Sequence, residues 1–559
     1  MTGGDLVVGS LNRLGVEIVF GIPSVHNLPI YDAIRRDGRI RAVTVRHEQT
    51  AVAAADAYAR ATGKLGVCIT STGAGAANAM GGLVEARTSS SPVLHITGQI
   101  DSRFFGQGRG FIHEVPDQAG MLASICTWSK MATTTDGIPS LLAEAATAAL
   151  RPRQGPVTLE IPIDLQYAEG TADVEAAVPA GLVAAALADT PGLDEAALGA
   201  AVEALRAAER PLVWAGGGAV ASGAAGELSA LARSLGAGVI TSPNGRGVLP
   251  EDDPLCIGNL PWDEEVRSLC VDADVLLAVG TRFQGPNTQN WQMQLPATII
   301  QIDVDAAVPG RNYPVAVTVI GDAKEALAAI SSRLGAADAA PANAEWAARV
   351  ADAAGNARKR LRSTLGAQEG LLDALAAALP DGAVVVKDST IPAYTWGNRL
   401  LPVGRERTAI MPNGFAIGLG VPHLVGAAAA HLTRPAVLMV GDGGFMLAPG
   451  ELATLSEERL PAVILLFNDG GYGILRNIQE KQYGEKIGVE LGRPDFCALA
   501  RSMGVEAERV GSAEGFAKAL EAAFAGAASG VPQLVEVDLD EIGPMAVPFI
   551  GTSRPPQPR

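Results

Sequence analysis

The chain has 559 residues, of which 48% are hydrophobic and 18% charged, so it is long enough for several domains with buried cores. Its formal net charge of −17 argues against a basic surface for nucleic acid. No apolar run reaches the roughly 20 residues that cross a bilayer, and the N-terminus lacks the pattern of a signal peptide. The five scattered cysteines form no CxxC pair, which predicts reduced, buried thiols in a cytoplasmic protein.

Short apolar runs alternate with Ala-rich helical stretches along the whole chain, a pattern typical of parallel α/β layers. We therefore predict an α/β fold with three doubly wound parallel-sheet domains. The stretches 168–192 and 334–343 are interpreted either as linkers or as helix-rich surface, because Ala favours helix. The Pro-rich end, 552–559, is expected to be disordered. Taken as boundaries, the two stretches divide the chain into blocks 1–167, 190–333 and 365–545.

In the first block, predicted strands run into polar residues. The strand Glu17–Phe20 is followed by a loop that contains His26, and the strand Ile40–Val45 is followed by a segment that contains Glu48. Read alone, Glu48 is an acid that favours the positive end of a helix. A further histidine, His113, lies in another loop. Each histidine either hydrogen-bonds the backbone of its own loop or relays protons. The second role is open to histidine because a neutral imidazole exchanges protons near pH 7.

The middle block has a glycine loop after a buried strand. Pro211–Trp214 leads into Gly216–Gly218, which indicates either close helix packing or a phosphate loop. A second strand, Val275–Val279, is followed by Gly280 and then by Arg282. These features alone do not identify a ligand.

In the third block, two buried strands each end in acid and glycine residues. Val437–Val440 runs into Gly-Asp-Gly-Gly, which contains Asp442, and Ala462–Phe467 runs into Asn-Asp-Gly-Gly-Tyr, which contains Asp469. The carboxyl ends of parallel strands form a ligand crevice, and glycines let backbone N–H groups approach phosphate oxygens. Carboxylates repel phosphate, so a hard divalent cation such as Mg²⁺ is expected between them.

The Gly-Asp-Gly motif, with its second half 27 positions after Asp442, resembles the thiamine diphosphate-binding motif. The run from Arg46 to Gly63 is similar to that of the acetohydroxyacid synthase and 2-oxoacid decarboxylase group. The resemblance implies that Asp442, Asp469 and the Gly471 carbonyl bind Mg²⁺. Family members usually have Asn where Asp469 stands, so the extra charge needs a partner that the sequence does not identify. The cofactor contacts that the resemblance implies are Glu48, Thr390, Phe415, Ile417, Gly441, Asp442, Gly443, Gly444, Asp469, Gly471 and Tyr472.

The resemblance also implies how the cofactor is activated. Glu48 of a neighbouring subunit would hydrogen-bond the pyrimidine N1′. Ile417 would lie beneath the bend of the cofactor, and the Phe415 carbonyl would accept a hydrogen bond from its amino group. Asp388-Ser389-Thr390 resembles a second diphosphate contact, with Thr390 as the expected ligand. The three blocks would then be pyrimidine-binding, middle and diphosphate-binding domains of a homodimer or homotetramer.

For the reaction, the resemblance implies decarboxylation of a 2-oxo acid, with or without ligation to a second carbonyl. Acetolactate synthase and lyase activities on a 2-hydroxy ketone or 2-hydroxyacyl-CoA are alternatives, and a catalytically silent homologue is a third. His26 and His113 match positions in the substrate pocket and are expected to move protons. Arg282-Phe283-Gln284 replaces the run that marks the synthases, which leaves FAD, ADP or no ligand open for the middle domain. Ile478 replaces the Trp that selects the acceptor in some synthases.

Overall fold

The computed structural model describes residues 1–335 and 343–551. In these ranges the chain forms three six-stranded sheets in which every strand pair is parallel. The central strands are buried on both faces, as expected when helices cover both sides of a sheet. The predicted fold class, three doubly wound α/β domains, is therefore confirmed. Within the described ranges, no helix has the length and apolar character needed to cross a bilayer.

The first sheet lies near the N-terminus, and its helices pack on both faces. Its strands are β1 (Ile18–Gly21), β2 (Arg41–Thr44), β3 (Gly66–Thr70), β4 (Val93–Gln99), β5 (Trp128–Met131) and β6 (Val157–Pro162), in the spatial order β2-β1-β3-β4-β6-β5. The helices are α1 (Gly3–Arg13), α2 (Leu28–Asp37), α3 (Glu48–Thr62), α4 (Ala74–Ser89), α5 (Gln118–Ala123), α6 (Ile138–Leu150), α7 (Ile163–Tyr167), α8 (Val174–Ala177) and α9 (Leu182–Ala188).

The stretch 168–192, one of the two expected linkers, packs against this first domain. Val178, directly after α8, and Ala186 in α9 are both buried in the core formed by one face of the sheet. Of the two interpretations, helical surface therefore applies here. The other stretch, 334–343, lies mostly outside the described residues, as does the Pro-rich end at 552–559.

The second sheet has the strands β7 (Pro211–Ala215), β8 (Gly238–Thr241), β9 (Cys256–Gly258), β10 (Val275–Val279), β11 (Thr298–Asp303) and β12 (Val317–Ile320), in the order β12-β11-β10-β7-β8-β9. Its helices are α10 (Glu195–Arg206), α11 (Gly217–Ala221), α12 (Ala225–Leu235), α13 (Glu264–Asp272), α14 (Ala323–Leu334) and α15 (Ala344–Ser363). The buried face of α15 joins this core through Trp346, whose indole N–H donates to the Pro211 carbonyl at 2.9 Å.

The third sheet repeats the strand order of the first. Its strands are β13 (Val384–Lys387), β14 (Ala409–Ile410), β15 (Ala436–Gly441), β16 (Ala462–Asn468), β17 (Glu506–Val510) and β18 (Gln533–Asp538), in the order β14-β13-β15-β16-β18-β17. The helices are α16 (Glu369–Ala378), α17 (Gly420–Ala430), α18 (Asp442–Phe445), α19 (Glu451–Glu457), α20 (Gly473–Tyr483), α21 (Phe496–Ser502), α22 (Ala513–Ala528) and α23 (Leu539–Ile542), with a π-helical turn at Ala393–Gly397.

Helices α3 and α17 join the first and third domains in one apolar core. Their small residues allow close approach, since a Cβ on Gly426 would lie 1.9 Å from the Ala54 carbonyl oxygen. Two buried polar side chains meet inside this contact, with His423 Nε2 3.1 Å from Asp56 Oδ2. Arg60 lies 3.7 Å from the same carboxylate oxygen. Because these charges are paired and enclosed, they favour one arrangement of the two helices.

Each sheet reverses its strand order at one point, and ligands of doubly wound sheets bind there. In the first and third sheets the reversal lies between β1 and β3 and between β13 and β15, and in the second between β7 and β10. The residues that follow these six strands therefore mark three candidate crevices. All five cysteines are buried and unpaired, as the sequence predicts.

Candidate active site

A cavity of about 470 Å³ opens at the strand reversal of the third sheet. This volume is in the range of small-molecule sites. Its floor consists of the residues that follow β13, β15 and β16, and its walls come from α20, the middle domain and residues 549–551. Lining residues expected from the sequence are Thr390, Phe415, Ile417, Gly441, Gly443, Gly444, Asp469, Gly471 and Tyr472.

Two carboxylates face each other beneath this cavity. Asp442, the first residue of α18, is only 2% exposed, and its Oδ1 has no hydrogen-bond partner. Burial, and then the charge of Asp469, raises the pKa of Asp442 to about 7. Burial also raises the pKa of Asp469. A divalent cation between the two would remove this repulsion and satisfy the orphaned oxygen.

Arg476 supplies the partner for Asp469 that the sequence left unidentified. Its Nη1 lies 3.7 Å from Asp469 Oδ2, and its Nη2 donates to the Asp469 carbonyl at 3.0 Å. The charge of Arg476 lowers the pKa of Asp469, against the larger effect of burial. Arg476 lies in the first turn of α20, so the helix that follows the motif carries the compensating charge.

One glycine in each half of the motif is required by close approach of the chain. A Cβ on Gly471 would lie 2.0 Å from the Val489 carbonyl oxygen, and a Cβ on Gly443 would lie 2.7 Å from the Tyr472 ring. Tyr472 N donates to the same Val489 carbonyl at 2.9 Å. The loop after β16 is therefore held against residue 489 while its backbone faces the loop after β15.

The residues present fit a magnesium–diphosphate group. The described residues contain no group of three or more His, Cys, Asp or Glu side chains able to hold a metal by themselves. The site instead offers two carboxylates next to glycine-rich strand ends. Mg²⁺ is typically held by one or two carboxylates together with phosphate oxygens. The unpaired Oδ1 of Asp442 is the structural feature that this group would satisfy.

The loop 412–418 presents Phe415 and Ile417 to the cavity, each 38% exposed. Phe415 has a φ of +57°, a left-handed conformation that a bulky residue adopts only when its surroundings enforce it. On the third-domain side, the buried Asp388 carboxylate accepts hydrogen bonds from Gly418 N at 3.1 Å and Gly420 N at 2.9 Å. This carboxylate thus fixes one end of the loop.

Glu85 of α4 fixes the other end of the same loop from the first domain. It is 1% exposed and accepts from Asn413 N at 2.6 Å and from Gly414 N at 2.9 Å. Ser89 Oγ donates to it at 2.6 Å. No motif in the sequence pointed to Glu85, because its partners lie more than 300 positions away in the chain.

Replacing Glu85 by Gln is expected to loosen this loop. The NH₂ group of the glutamine would face a backbone N–H group, so one hydrogen bond to a charged acceptor would be lost. Such a buried hydrogen bond contributes about 1.5–3 kcal/mol to stability. The expected result is a lower melting temperature and about tenfold weaker cofactor binding in a fluorescence titration. Glu144→Gln, an exposed glutamate paired with Lys130, is the matched control. Equal cofactor affinity in the two variants would contradict the assignment.

The strand reversal of the first sheet brings the two sequence-predicted histidines together. Their rings lie 5.3 Å apart between centroids. His26 follows β1 and is 1% exposed, while His113 is exposed and has a φ of +62°. Burial, and then the charge of His113, lowers the pKa of His26, so His26 is a neutral imidazole at pH 7. His26 Nδ1 has no partner, and His113 Nδ1 lies 3.3 Å from Ser71 Oγ.

The histidine loop rests on a buried polar network that sequence reasoning missed. A Cβ on Gly73 would lie 2.2 Å from the His113 carbonyl oxygen, so only glycine fits there. Gln118 Oε1 accepts from Gly73 N at 2.6 Å, and Gln118 Nε2 donates to Glu160 at 2.8 Å. Thr72 Oγ1 also donates to Gln118 at 2.7 Å. These bonds fix the backbone beneath His113.

Glu48 is the first residue of α3 and lies beside α4. Its Oε2 accepts from Asn78 Nδ2 at 3.0 Å, and its Oε1 would lie 3.1 Å from a Cβ on Gly75. His47 serves as the helix cap, since its Nδ1 accepts from Gln49 N at 3.1 Å. His47 therefore has a structural role beside Glu48. The half-buried carboxylate of Glu48 still has one oxygen without a hydrogen bond from the described residues.

The predicted site residues fall into two groups in one chain. Glu48, His26 and His113 lie at the first sheet, and none of them is among the described residues that line the third-domain cavity. Thr390, Ile417 and the two aspartates lie at the third sheet. Both surfaces carry exposed apolar side chains: Val25, Leu28, Val84 and Ile112 at the first, and Phe415, Ile417, Met446, Leu447 and Leu475 at the second.

The middle domain has its own cavity, of about 430 Å³, at the strand reversal of the second sheet. The loop Gly216–Gly218 is packed on Gly280, since a Cβ on Gly216 would lie 2.2 Å from the Gly280 carbonyl oxygen. Close packing thus explains these glycines. Arg282 lines the cavity and donates to the Thr88 carbonyl at 2.6 Å. This geometry leaves FAD, ADP or no ligand open.

The sequence matches three family models along its length. They are described as the N-terminal TPP-binding domain of thiamine pyrophosphate enzymes over residues 1–121, the central domain over 198–330 and the C-terminal TPP-binding domain over 393–537. Each match overlaps one of the three sheets.

Relatives extend the likeness over nearly the whole chain. A probable 2-ketoarginine decarboxylase from Pseudomonas aeruginosa is 39% identical over 521 residues, 90% of this chain and 88% of the relative. A probable acetolactate synthase large subunit from Methanocaldococcus jannaschii is 32% identical, and the alignment covers 98% of this chain and 94% of the relative. The solved thiamine diphosphate-dependent 4-hydroxybenzoylformate decarboxylase from Rhodococcus jostii superposes with a TM-score of 0.80 at 25% identity, covering 96% of this chain and 99% of that one.

These likenesses agree with the motif at β15 and β16, the paired aspartates and the repeated sheet order. The chain belongs to the thiamine pyrophosphate enzyme family and is a thiamine diphosphate-dependent enzyme of the acetolactate synthase and 2-oxoacid decarboxylase group.

Proposed function

We propose that this enzyme decarboxylates a 2-oxo acid without oxidation, with thiamine diphosphate and Mg²⁺ in the third-domain cavity. The observation that carries the proposal is the buried pair Asp442 and Asp469, in which Asp442 Oδ1 has no hydrogen-bond partner among the described residues, beneath a cavity lined by glycines. In this assignment both aspartates and the Gly471 carbonyl hold Mg²⁺. Thr390 and the backbone of Gly441, Gly443 and Gly444 hold the diphosphate, with Tyr472 beside it.

The remaining third-domain residues orient the cofactor. When bound, thiamine diphosphate supplies a nucleophilic carbon and an electron sink for the departing CO₂. Ile417 would contact the bound cofactor, because it is a bulky aliphatic side chain that lines the cavity on a loop held at its two ends by Asp388 and Glu85. The Phe415 carbonyl accepts a hydrogen bond from the amino group of the pyrimidine. The strained backbone at Phe415 sets the direction of that carbonyl.

The first-domain residues manage protons. Glu48 donates a hydrogen bond to the pyrimidine N1′, and Asn78 orients its carboxyl group. His26 and His113 take up and return the protons that the reaction requires at the substrate. Because burial keeps His26 neutral, its unpartnered Nδ1 is available for this exchange, and Ser71 orients the ring of His113.

Two copies of the chain are needed for one complete site. The two groups of residues line separate surfaces in one chain, and exposed apolar side chains surround both. We therefore infer a homodimer, or a homotetramer made of two such dimers, in which Glu48 of one copy faces the diphosphate site of the other. A two-fold axis would bring both pairs of surfaces together at once. We also assign the division 1–167, 190–333 and 365–545 to the pyrimidine, middle and diphosphate domains of each copy, and a cytoplasmic location to the enzyme.

Acetolactate synthase is the second candidate, because a relative with that name aligns over 98% of the chain. It would require a second 2-oxo acid as acceptor. Ile478 lines the cavity wall where some synthases have a Trp, which leaves room beside the reacting carbon but no aromatic acceptor contact. The third alternative, a lyase, would cleave a hydroxy ketone without releasing CO₂.

A substrate panel tests the proposal. The purified holoenzyme is incubated with 2-oxo acids, pairs of 2-oxo acids and 2-hydroxy ketones, and CO₂, aldehyde and acetolactate are measured. We expect CO₂ and aldehyde in equal amounts from one class of 2-oxo acid. Acetolactate from pyruvate, together with FAD in the purified protein, would establish the synthase instead. Cleavage of a hydroxy ketone without CO₂ would establish the lyase.

A further inference from the structure

A cation with no hydrogen-bond or ion-pair partner among the described residues lies in the third-domain cavity. Arg399 follows the π-helical turn Ala393–Gly397 and lines the cavity, with its guanidinium carbon 5.9 Å from the Phe549 ring centroid. No carboxylate or carbonyl oxygen of the described residues pairs with it. Burial alone lowers its pKa to about 10, and it keeps its charge at pH 7.

Two other enclosed arginines in the same region have carboxylate partners within the protein. Arg246, which is 0% exposed in its side chain, pairs with Glu251 at 2.7 Å and also donates to the Gly397 carbonyl at 3.1 Å. Arg476 pairs with Asp469 and Glu490. Arg399 is half-buried and has no such carboxylate, although a charge held partly out of water is normally paired. The isolation of Arg399 thus indicates that its partner is a ligand.

The surroundings of Arg399 favour an anion. The only carboxylate that lines the cavity among the described residues is Asp469, which already faces Asp442 and Arg476. Asn259 and Asn398 lie on the Arg399 side, joined by a 3.2 Å bond from Asn259 Nδ2 to the Asn398 carbonyl. A cationic group here would meet repulsion and no acid.

An aromatic wall connects Arg399 to the reacting end of the cavity. The Phe415 ring stacks on the Tyr394 ring with 6.3 Å between centroids, and the Tyr394 ring stacks on the Phe549 ring with 6.4 Å between centroids. Arg399 lies over the Phe549 ring, at the opposite end of this row of rings from Phe415. Leu475, Ile478 and Ile550 add aliphatic surface to the same cavity. The space between Ile417 and Arg399 therefore suits a flexible apolar chain.

We propose that Arg399 binds a second carboxylate at the far end of the substrate, so that the enzyme acts on an elongated dicarboxylic 2-oxo acid. This inference rests on the decarboxylase function proposed above. The fork of the guanidinium matches the two oxygens of a carboxylate. A neutral tail would leave the arginine unpaired, and a cationic tail would be repelled. Arg399 is thus a specificity-determining residue, remote from the carbonyl that reacts.

Matched substrates test the inference on the holoenzyme. 2-Oxoadipate is compared with 2-oxohexanoate, 2-oxopimelate with 2-oxoheptanoate, and both pairs with 5-guanidino-2-oxopentanoate. We expect kcat/KM for the better diacid to exceed that of its neutral match about 100-fold or more, since a site built for a polar group rejects analogues that lack it. The cationic acid is expected to be the poorest of the three classes.

Substitution then isolates the residue. In Arg399→Met, KM for the diacid is expected to rise at least about tenfold, while kcat and KM for the neutral acids stay unchanged. The KM of Arg399→Lys for the diacid should lie between those of the wild type and Arg399→Met. Arg405→Met, an exposed arginine paired with Asp381, is the matched control and should change nothing. As a readout without turnover, adipate should raise the melting temperature of the wild-type holoenzyme more than hexanoate does, and not that of Arg399→Met.

The outcomes separate the two proposals. If no 2-oxo acid releases CO₂, the decarboxylase function is wrong. If 2-oxo acids are decarboxylated but the wild type prefers neutral or cationic tails, the role of Arg399 is wrong while the function stands. An equal loss for all acids in both Arg399→Met and Arg399→Lys would likewise overturn the specificity role and assign the residue to folding.

Discussion

The Glu48→Gln variant is expected to lose exchange of the C2 proton of bound thiamine diphosphate and to lose activity by about 10²–10⁴-fold. A glutamine cannot share a proton with the pyrimidine N1′, although it can keep the hydrogen bond from Asn78. Cofactor binding should change little, because the diphosphate contacts lie in another domain. Proton exchange is measured by NMR after rapid mixing of the holoenzyme with D₂O.

Glu17→Gln is the matched control for this experiment, since Glu17 is an exposed glutamate of the same domain that pairs only with Lys64. Its exchange rate should equal that of the wild type. Unchanged exchange in Glu48→Gln would reduce Glu48 to an acid at the N-terminus of α3, the alternative that the sequence left open. The exchange rate would distinguish cofactor activation from this structural role even if catalysis fell for another reason.

The two aspartates of the metal site are expected to respond differently to substitution. Asp442→Ala should lose cofactor binding, because it removes the carboxylate with the unsatisfied buried oxygen. Asp469→Asn should keep most activity, because an amide oxygen still binds Mg²⁺ and Arg476 still contacts the residue 469 carbonyl. Cofactor and metal affinity are measured by titration of the apoenzyme.

Asp381→Ala, an exposed aspartate of the same domain, controls for the loss of a surface carboxylate. Arg476→Met tests the charge balance further. It should weaken metal and cofactor binding in the wild-type background but weaken it less in the Asp469→Asn background, because the negative charge that Arg476 balances is then absent. An inactive Asp469→Asn together with tight cofactor binding in Asp442→Ala would refute the metal assignment.

Mixing the two inactive variants tests whether subunits share the site. In a heterodimer of Glu48→Gln and Asp442→Ala, one of the two sites would combine the intact Glu48 of one copy with the intact Asp442 of the other. Random reassociation should then restore about one quarter of wild-type activity. If each site belonged to a single chain, the mixture would stay inactive.

Much of the architecture follows from local patterns along the chain. The buried run Val275–Val279 is a strand with the predicted bounds, and the runs before Asp442 and Asp469 are strands within one residue of their predicted ends. These predictions succeed because strands buried on both faces are continuous apolar segments ended by turn residues. The glycine and aspartate positions of the motif follow from the same local rule.

Other features depend on contacts between distant parts of the chain. Glu85 holds the loop of Phe415, although more than 300 residues separate them, and the network of Gln118 and Glu160 supports His113. Arg399 is the only charged residue in the apolar stretch 393–403, but only the cavity reveals that it has no partner. No sequence spacing encodes these relations, because they join residues that are distant along the chain and meet only in the folded protein.

By itself, the sequence determined the fold class and thiamine diphosphate as the cofactor, and it predicted the half-sites at Glu48 and at Asp442, because each depends on short runs of residues with a fixed chemical requirement. Only the tertiary structure decided that Arg476 balances Asp469, that His26 and His113 lie side by side, and that Arg399 faces the cavity unpaired. The physical reason is that charge balance and burial are properties of neighbours in space, and folding brings those neighbours from distant segments.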